Sequence, residues 1–170
     1  DLRARLAPGT TERQGDVSHG LPLSVRAVLA SRIDRLERIQ REILFAASVI
    51  GETFDACLLE DLVPLELRRE VRSGLQHLAT LGFVRETRIL PRLEYTFDHA
   101  LVREVLYGTL PRFVRLRLHE RLLRLIRNRA ISDLPDKYAL LAYQAFAAER
   151  WPFAAVLSLS AGRAAYERSR

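Results

Sequence analysis

Between Leu93 and Tyr107 the apolar pattern changes its period, and that change limits what can be built around it. Leu93, Tyr95 and Phe97 alternate as one face of a short strand. The chain then runs straight into a helix through Asp98-His99-Ala100-Leu101-Val102-Arg103-Glu104-Val105-Leu106-Tyr107. Asp98 is expected to be the N-cap, its carboxylate accepting from the free amides of the first turn. His99 then falls on the first helical position, beside unpaired N–H groups and the positive end of the helix dipole, where anions are favoured. An imidazole there is either a packing residue or a phosphate contact.

The flanking sequence places this junction in a mainly α chain. Residues 1–22 show no period and hold Gly9, Gly15, Gly20 and Pro8, the composition of a linker tail. Val25, Val28, Leu29, Ile33 and Leu36 mark a first amphipathic helix after Pro22, with Arg26, Arg32 and Arg35 on its wet side. A second helix is expected from Ile39 to Ile50, with Gly51 in the left-handed position beyond it. Asp55 is expected to cap a third, Phe54 packing on Leu59 as a staple, and Pro64 borders its end. Leu67, Val71, Leu75, Leu78 and Leu81 share one face of a fourth helix, closed by Gly82. Phe83–Thr87 and Leu93–Phe97, joined by a loop with Pro91, read as one β-hairpin. Three helices followed by a hairpin is the order of a winged-helix domain, expected over residues 23–110 with its leading helix. Residues 111–170 are expected to be helical: Pro111 opens one helix, residues 131–135 break the pattern, and 137–149 and 152–168 form an antiparallel pair. Ala142, Ala145, Ala154, Ala161 and Ala165 permit close packing there. Such a pair cannot bury both its faces alone and is expected to begin a stacked helical-repeat array, in a chain cut from a longer protein.

The net charge is +6, carried by arginine apart from Lys137, and its position says more than its total. Residues 111–130 hold seven arginines against Glu120, an excess equal to that of the whole chain. On a helix, Arg117, Arg121, Arg124 and Arg127 share a face with Leu118, Leu122, Leu125 and Ile126 opposite. A basic row of this kind attracts nucleic acid or an anionic partner, or is a solvated face whose charges meet acids on a neighbouring domain. Arg68, Arg69 and Arg72 on the fourth helix form a second candidate patch, with Arg85, Arg88 and Arg92 on or near the wing. Glu66, Glu70 and Glu86 interrupt it, and only Gln76 on that helix could read adenine.

Catalytic motifs are missing from the sequence. No Gly-x-x-x-x-Gly-Lys-Ser/Thr or Gly-x-Ser-x-Gly occurs. The histidines at 19, 77, 99 and 119 have no i, i+4 histidine partner, and Cys57 is the only cysteine, so neither a disulfide nor a zinc site is expected. His77 and His119 are expected to be core histidines and Cys57 a small buried hydrophobe. No apolar run approaches a membrane span, and a reducing cytoplasm suits the composition.

Three blocks carry a resemblance. Leu21–Leu36 resembles the segment that follows the AAA-type ATPase core in bacterial STAND signalling ATPases. Ala46-Ala47-Ser48-Val49-Ile50-Gly51-Glu52-Thr53-Phe54 is similar to the opening of that family's winged-helix domain. Tyr95–Tyr107, followed by Leu118-His119, is similar to its third block, and 137–168 resembles the start of its tetratricopeptide-like superhelix. The resemblance implies a non-catalytic regulatory module, with an upstream P-loop ATPase domain in cis that binds ATP or ADP and repeats that contact protein partners. It implies no cofactor in this fragment and gives His99 the position that touches nucleotide phosphates in the resting state. The parents it implies are adenylate/guanylate cyclases fused to such an ATPase, which the 97–107 block resembles more, or LuxR-type transcription regulators. The alternative class is a winged-helix DNA-binding domain of a transcription regulator.

Overall fold

The structure is a computed structural model that describes residues 23–89, 92–128 and 137–169. The expected linker tail, the Pro91 turn and the break at 131–135 lie outside the described residues. The chain is mainly helical: α1 (Leu23–Asp34), α2 (Arg38–Ile50), β1 (Thr53–Asp55), α3 (Ala56–Leu62), a 3-10 turn (Leu65–Glu70), α4 (Val71–Thr80), β2 (Val84–Arg88), β3 (Glu94–Phe97), α5 (Ala100–Thr109), α6 (Arg112–Asn128), α7 (Lys137–Ala147) and α8 (Trp151–Arg168).

The strands form one antiparallel sheet in the order β1-β3-β2, so the expected hairpin is two strands of three. The segment around Phe54 was expected only to lead into α3. Instead it pairs with β3, Phe54 opposite Tyr95, and the Thr53 and Thr96 hydroxyls lie 2.9 Å apart. The reason is packing: the buried Phe54 ring sits 6.3 Å from Tyr95 and 5.6 Å from Phe97, which uses its apolar area across the sheet. Asp55 does cap α3, accepting from the Leu58 amide at 2.7 Å.

Helix ends explain how the sheet is entered. Gly82 has φ +71, the Gly82 amide bonds Ala79 O, and the Phe83 amide bonds Leu78 O, which is a Schellman stop. That stop turns α4 into β2 and drops Phe83 and Val84 into the core. Gly51 differs from expectation. Its φ of 158 and ψ of −171 lie outside the left-handed helical well, in a positive-φ conformation that side-chain-bearing residues rarely adopt, and carry the chain from α2 into β1. The fourth helix also starts late: residues 65–70 form a 3-10 turn, so Arg68 and Arg69 precede α4 and Arg72 lies in its first turn.

Leu29 and Ile33 of α1 and Leu36 just beyond it are buried, whereas Val25 and Val28, expected on the same inner face, are exposed. One buried cluster runs from Leu29 through α2, α4 and the sheet to Leu122, Ile126, Ala145 and Leu157. Helix α6 joins the two ends of it, packing on α2 and α3 as well as on α7. Alanines 142, 145 and 154 are buried where α7 meets α8.

Candidate functional site

His99 lies at the corner between β3 and α5, and its backbone defines it. With φ −135 and ψ 130 it is itself the N-cap of α5, and its carbonyl accepts the first helical bond from the Val102 amide at 2.9 Å. Asp98 is therefore one residue outside the helix and does not cap it, contrary to expectation. Its amide is committed to Phe83 O at 3.1 Å, an extension of the strand pairing, and its carboxylate is turned toward Gly82. The His99 side chain makes no capping bond and is exposed.

Arginines of α1 and α5 tie the elements on either side of this corner together. Arg32 of α1 donates to Leu81 O at 2.9 Å and stacks 4.9 Å above the Phe83 ring, strapping α1 to the Gly82 turn. Arg26 pairs with Glu104 of α5 at 3.6 Å. Arg103, one helical turn after His99, donates its Nε to Ser48 O at 3.0 Å and so satisfies a carbonyl in the last turn of α2. The signal was available in part: Arg103 is four residues from His99, but its partner lies 55 positions away in sequence. The corner thus offers an exposed imidazole beside the first amides of α5, on a scaffold held by arginines from two helices.

The basic patches divide differently from the way their spacing suggested. Arg72 donates to Glu60 of α3 at 2.7 Å, and Arg68 pairs with Asp61 at 3.7 Å, while Arg69 is exposed. Across the β2-β3 hairpin Arg88 meets Glu94 at 3.6 Å. On α6, Arg121 is half-buried and donates to Asp61 O and Val63 O at 3.0 and 3.1 Å, closing the end of α3. Arg127 lies over the Phe153 ring at 5.2 Å. Arg117 and Arg124 are exposed and have no ion-pair partner among the described residues. The four-residue row is therefore not wholly a solvated face: Arg117, Arg124 and Arg127 are exposed, and Arg121 is bound to backbone carbonyls.

Of the histidines, His119 is fully buried as expected, with Nε2 2.9 Å from Tyr107 Oη and Nδ1 2.6 Å from Gln144 Oε1. A neutral ring satisfies both contacts: Nδ1–H donates to the amide oxygen, and Nε2 accepts from the phenol. Burial pushes its pKa below the ordinary value, the Gln144 bond opposes this, and Arg115 and Arg103 add to it. Burial likewise raises the Tyr107 phenol. His77 and Cys57 are exposed, not core residues, because each points away from the packed face of its short helix. Among the described residues no group of His, Cys, Asp and Glu could hold a metal ion, and no helix is long and apolar enough to cross a membrane.

No family model and no solved structure matches the chain. Its similarity to a curated protein is to the uncharacterized protein R02095 of Rhizobium meliloti (strain 1021), 31% identical over 144 residues. That alignment takes in 84% of this chain but spans only 14% of the relative's own length.

Proposed function

We propose that the chain is a non-catalytic regulatory module of a larger STAND-type signalling ATPase, a winged-helix unit followed by the start of a tetratricopeptide-like array. Its role is to couple the nucleotide state of an upstream P-loop domain to the repeats, in a parent linked to adenylate/guanylate cyclase output. The observation that carries this reading is the exposed His99 at the N-terminus of α5, directly after the β2-β3 hairpin. The order α2-β1-α3-α4-β2-β3 supports a winged helix. The exposed Val25 and Val28 on α1 supply an apolar surface against which an upstream domain would dock. Exposed Tyr143, Phe146, Val156, Leu159 and Tyr166 on α7 and α8 leave a face suited to a next helical pair.

In this reading the imidazole and the α5 amides contact ADP or ATP phosphates held mainly by the upstream domain, and loss of the contact biases a two-state hinge. The test uses the natural polypeptide that contains this segment. His99→Ala is expected to speed nucleotide release and raise basal output by on the order of 10-fold, the cost of one charge-assisted hydrogen bond. Unchanged release in a normally folded variant would count against the latch.

The DNA-binding reading is the alternative, motivated by Arg69 and Arg85, which stay exposed. It is weakened where Glu60, Asp61 and Glu94 neutralise Arg72, Arg68 and Arg88. A mobility-shift titration with random duplex at low salt decides between them. Strong binding with a steep salt dependence would favour DNA.

A further inference from the structure

Helix α6 and the end of α3 line a cleft of about 570 Å³, its apolar part from the half-buried Val114, Leu118 and Leu125, with Arg117, Arg121 and Arg124 beside them. Its charge is unbalanced. Arg121 is fixed on the carbonyls of Asp61 and Val63, and Glu120, which also lines the cleft, pairs with Arg150 at 3.4 Å. Arg117 and Arg124 make no ion pair among the described residues, unlike the arginines at 68 and 72. Two exposed arginines without an ion pair thus stand at the edge of an apolar floor.

We propose that this cleft is a docking site for an acidic amphipathic helix of a protein partner. The floor takes apolar side chains and the arginines take carboxylates, a pairing that neither a bare polyanion nor a neutral apolar ligand would use in full. A helical partner fits the spacing. Arg117, Arg121 and Arg124 recur at i, i+4 and i+7, a rise of about 10 Å along α6, and a second helix lying along it presents Glu residues of the same spacing at the same rise. The cleft is formed by α3 and α6, so its occupancy does not depend on whether His99 touches a nucleotide.

The test is fluorescence anisotropy with the whole chain and a synthetic amphipathic helix carrying Glu at i, i+4 and i+7 beside leucines, against the same peptide with Gln. The acidic peptide is expected to bind saturably and on the order of 10-fold tighter than the Gln peptide at low salt, from two exposed charge pairs, with the gap closing as salt rises. The double variant Arg117→Glu, Arg124→Glu removes that preference, while Arg69→Glu, outside the cleft, leaves it. Both altered positions are exposed, and a far-UV spectrum verifies folding. Equal affinity for the two peptides, indifference to the double variant, or no saturation below about 1 mM overturns the proposal. Displacement of the peptide by random duplex at concentrations below the peptide's own Kd assigns the cleft to nucleic acid and overturns it as well.

Discussion

His119 shows how one side chain can tie three helices without doing chemistry. Tyr107 of α5, His119 of α6 and Gln144 of α7 form a buried polar chain, and each bond in it replaces water that the core excludes. The ring is neutral in the folded chain, with Tyr107, Tyr143, Arg103 and Arg115 the titratable and charged groups around it. Because burial lowers the folded-state pKa, the unfolded imidazole takes up its proton first as pH falls. Stability is then at its full value above 6.5 and declines below it, until the folded ring is protonated too and the decline stops. Thermal melts across that window are expected to show this decline, and His119→Gln is expected to flatten it. A slope that survives the substitution would place the titration elsewhere. Tyr107→Phe strands Nε2 and is expected to cost about 1–3 kcal/mol by denaturant titration.

At the level of elements, the turn between α7 and α8 balances strain against an ion pair. Glu149 has φ +57, a left-handed position where glycine is usual, and the Arg150 amide reaches back to Ala145 O in a second Schellman stop. The Glu149 side chain forks onto Arg112 at the start of α6, so the residue that strains the turn also anchors the helical pair. Glu149→Gly is expected to be near neutral, losing the pair but relieving the backbone. Glu149→Ala loses the pair and keeps the strain, about 1 kcal/mol worse than Gly in the same melt. Ala as stable as Gly would mean that the left-handed backbone carries no such cost, and a Gly variant well below the parent would mean that the pair outweighs the backbone term. Comparable backbone chemistry was legible at Gly82, where Gly after a leucine-faced helix marked the stop. At Glu149 no residue type announced it.

For the whole molecule, α6 is the element on which the two ends of the chain converge, since α2 and α3 lie on one part of it and α7 on another. One buried cluster crosses it without a gap, so calorimetry is expected to give a single cooperative transition for the described helices and sheet. Two resolved transitions would mean that the α7–α8 pair folds on its own. The amino-acid sequence by itself determined most helices, the β2-β3 hairpin and the Asp55 cap, because periodicity, caps and glycine stops act over a few residues. It also marked His99 as standing at a strand-to-helix corner and His119 as a core residue. Only tertiary structure decided that β1 pairs with β3, that Asp98 yields the cap position to His99, and that His77 and Cys57 face water. The same holds for the arginines: their spacing placed Arg117, Arg121, Arg124 and Arg127 in one row, but carbonyls at the end of α3 withdrew Arg121 from it. A side chain's charge is written in its own codon, whereas what neutralises it is supplied by residues tens of positions away that only packing brings near.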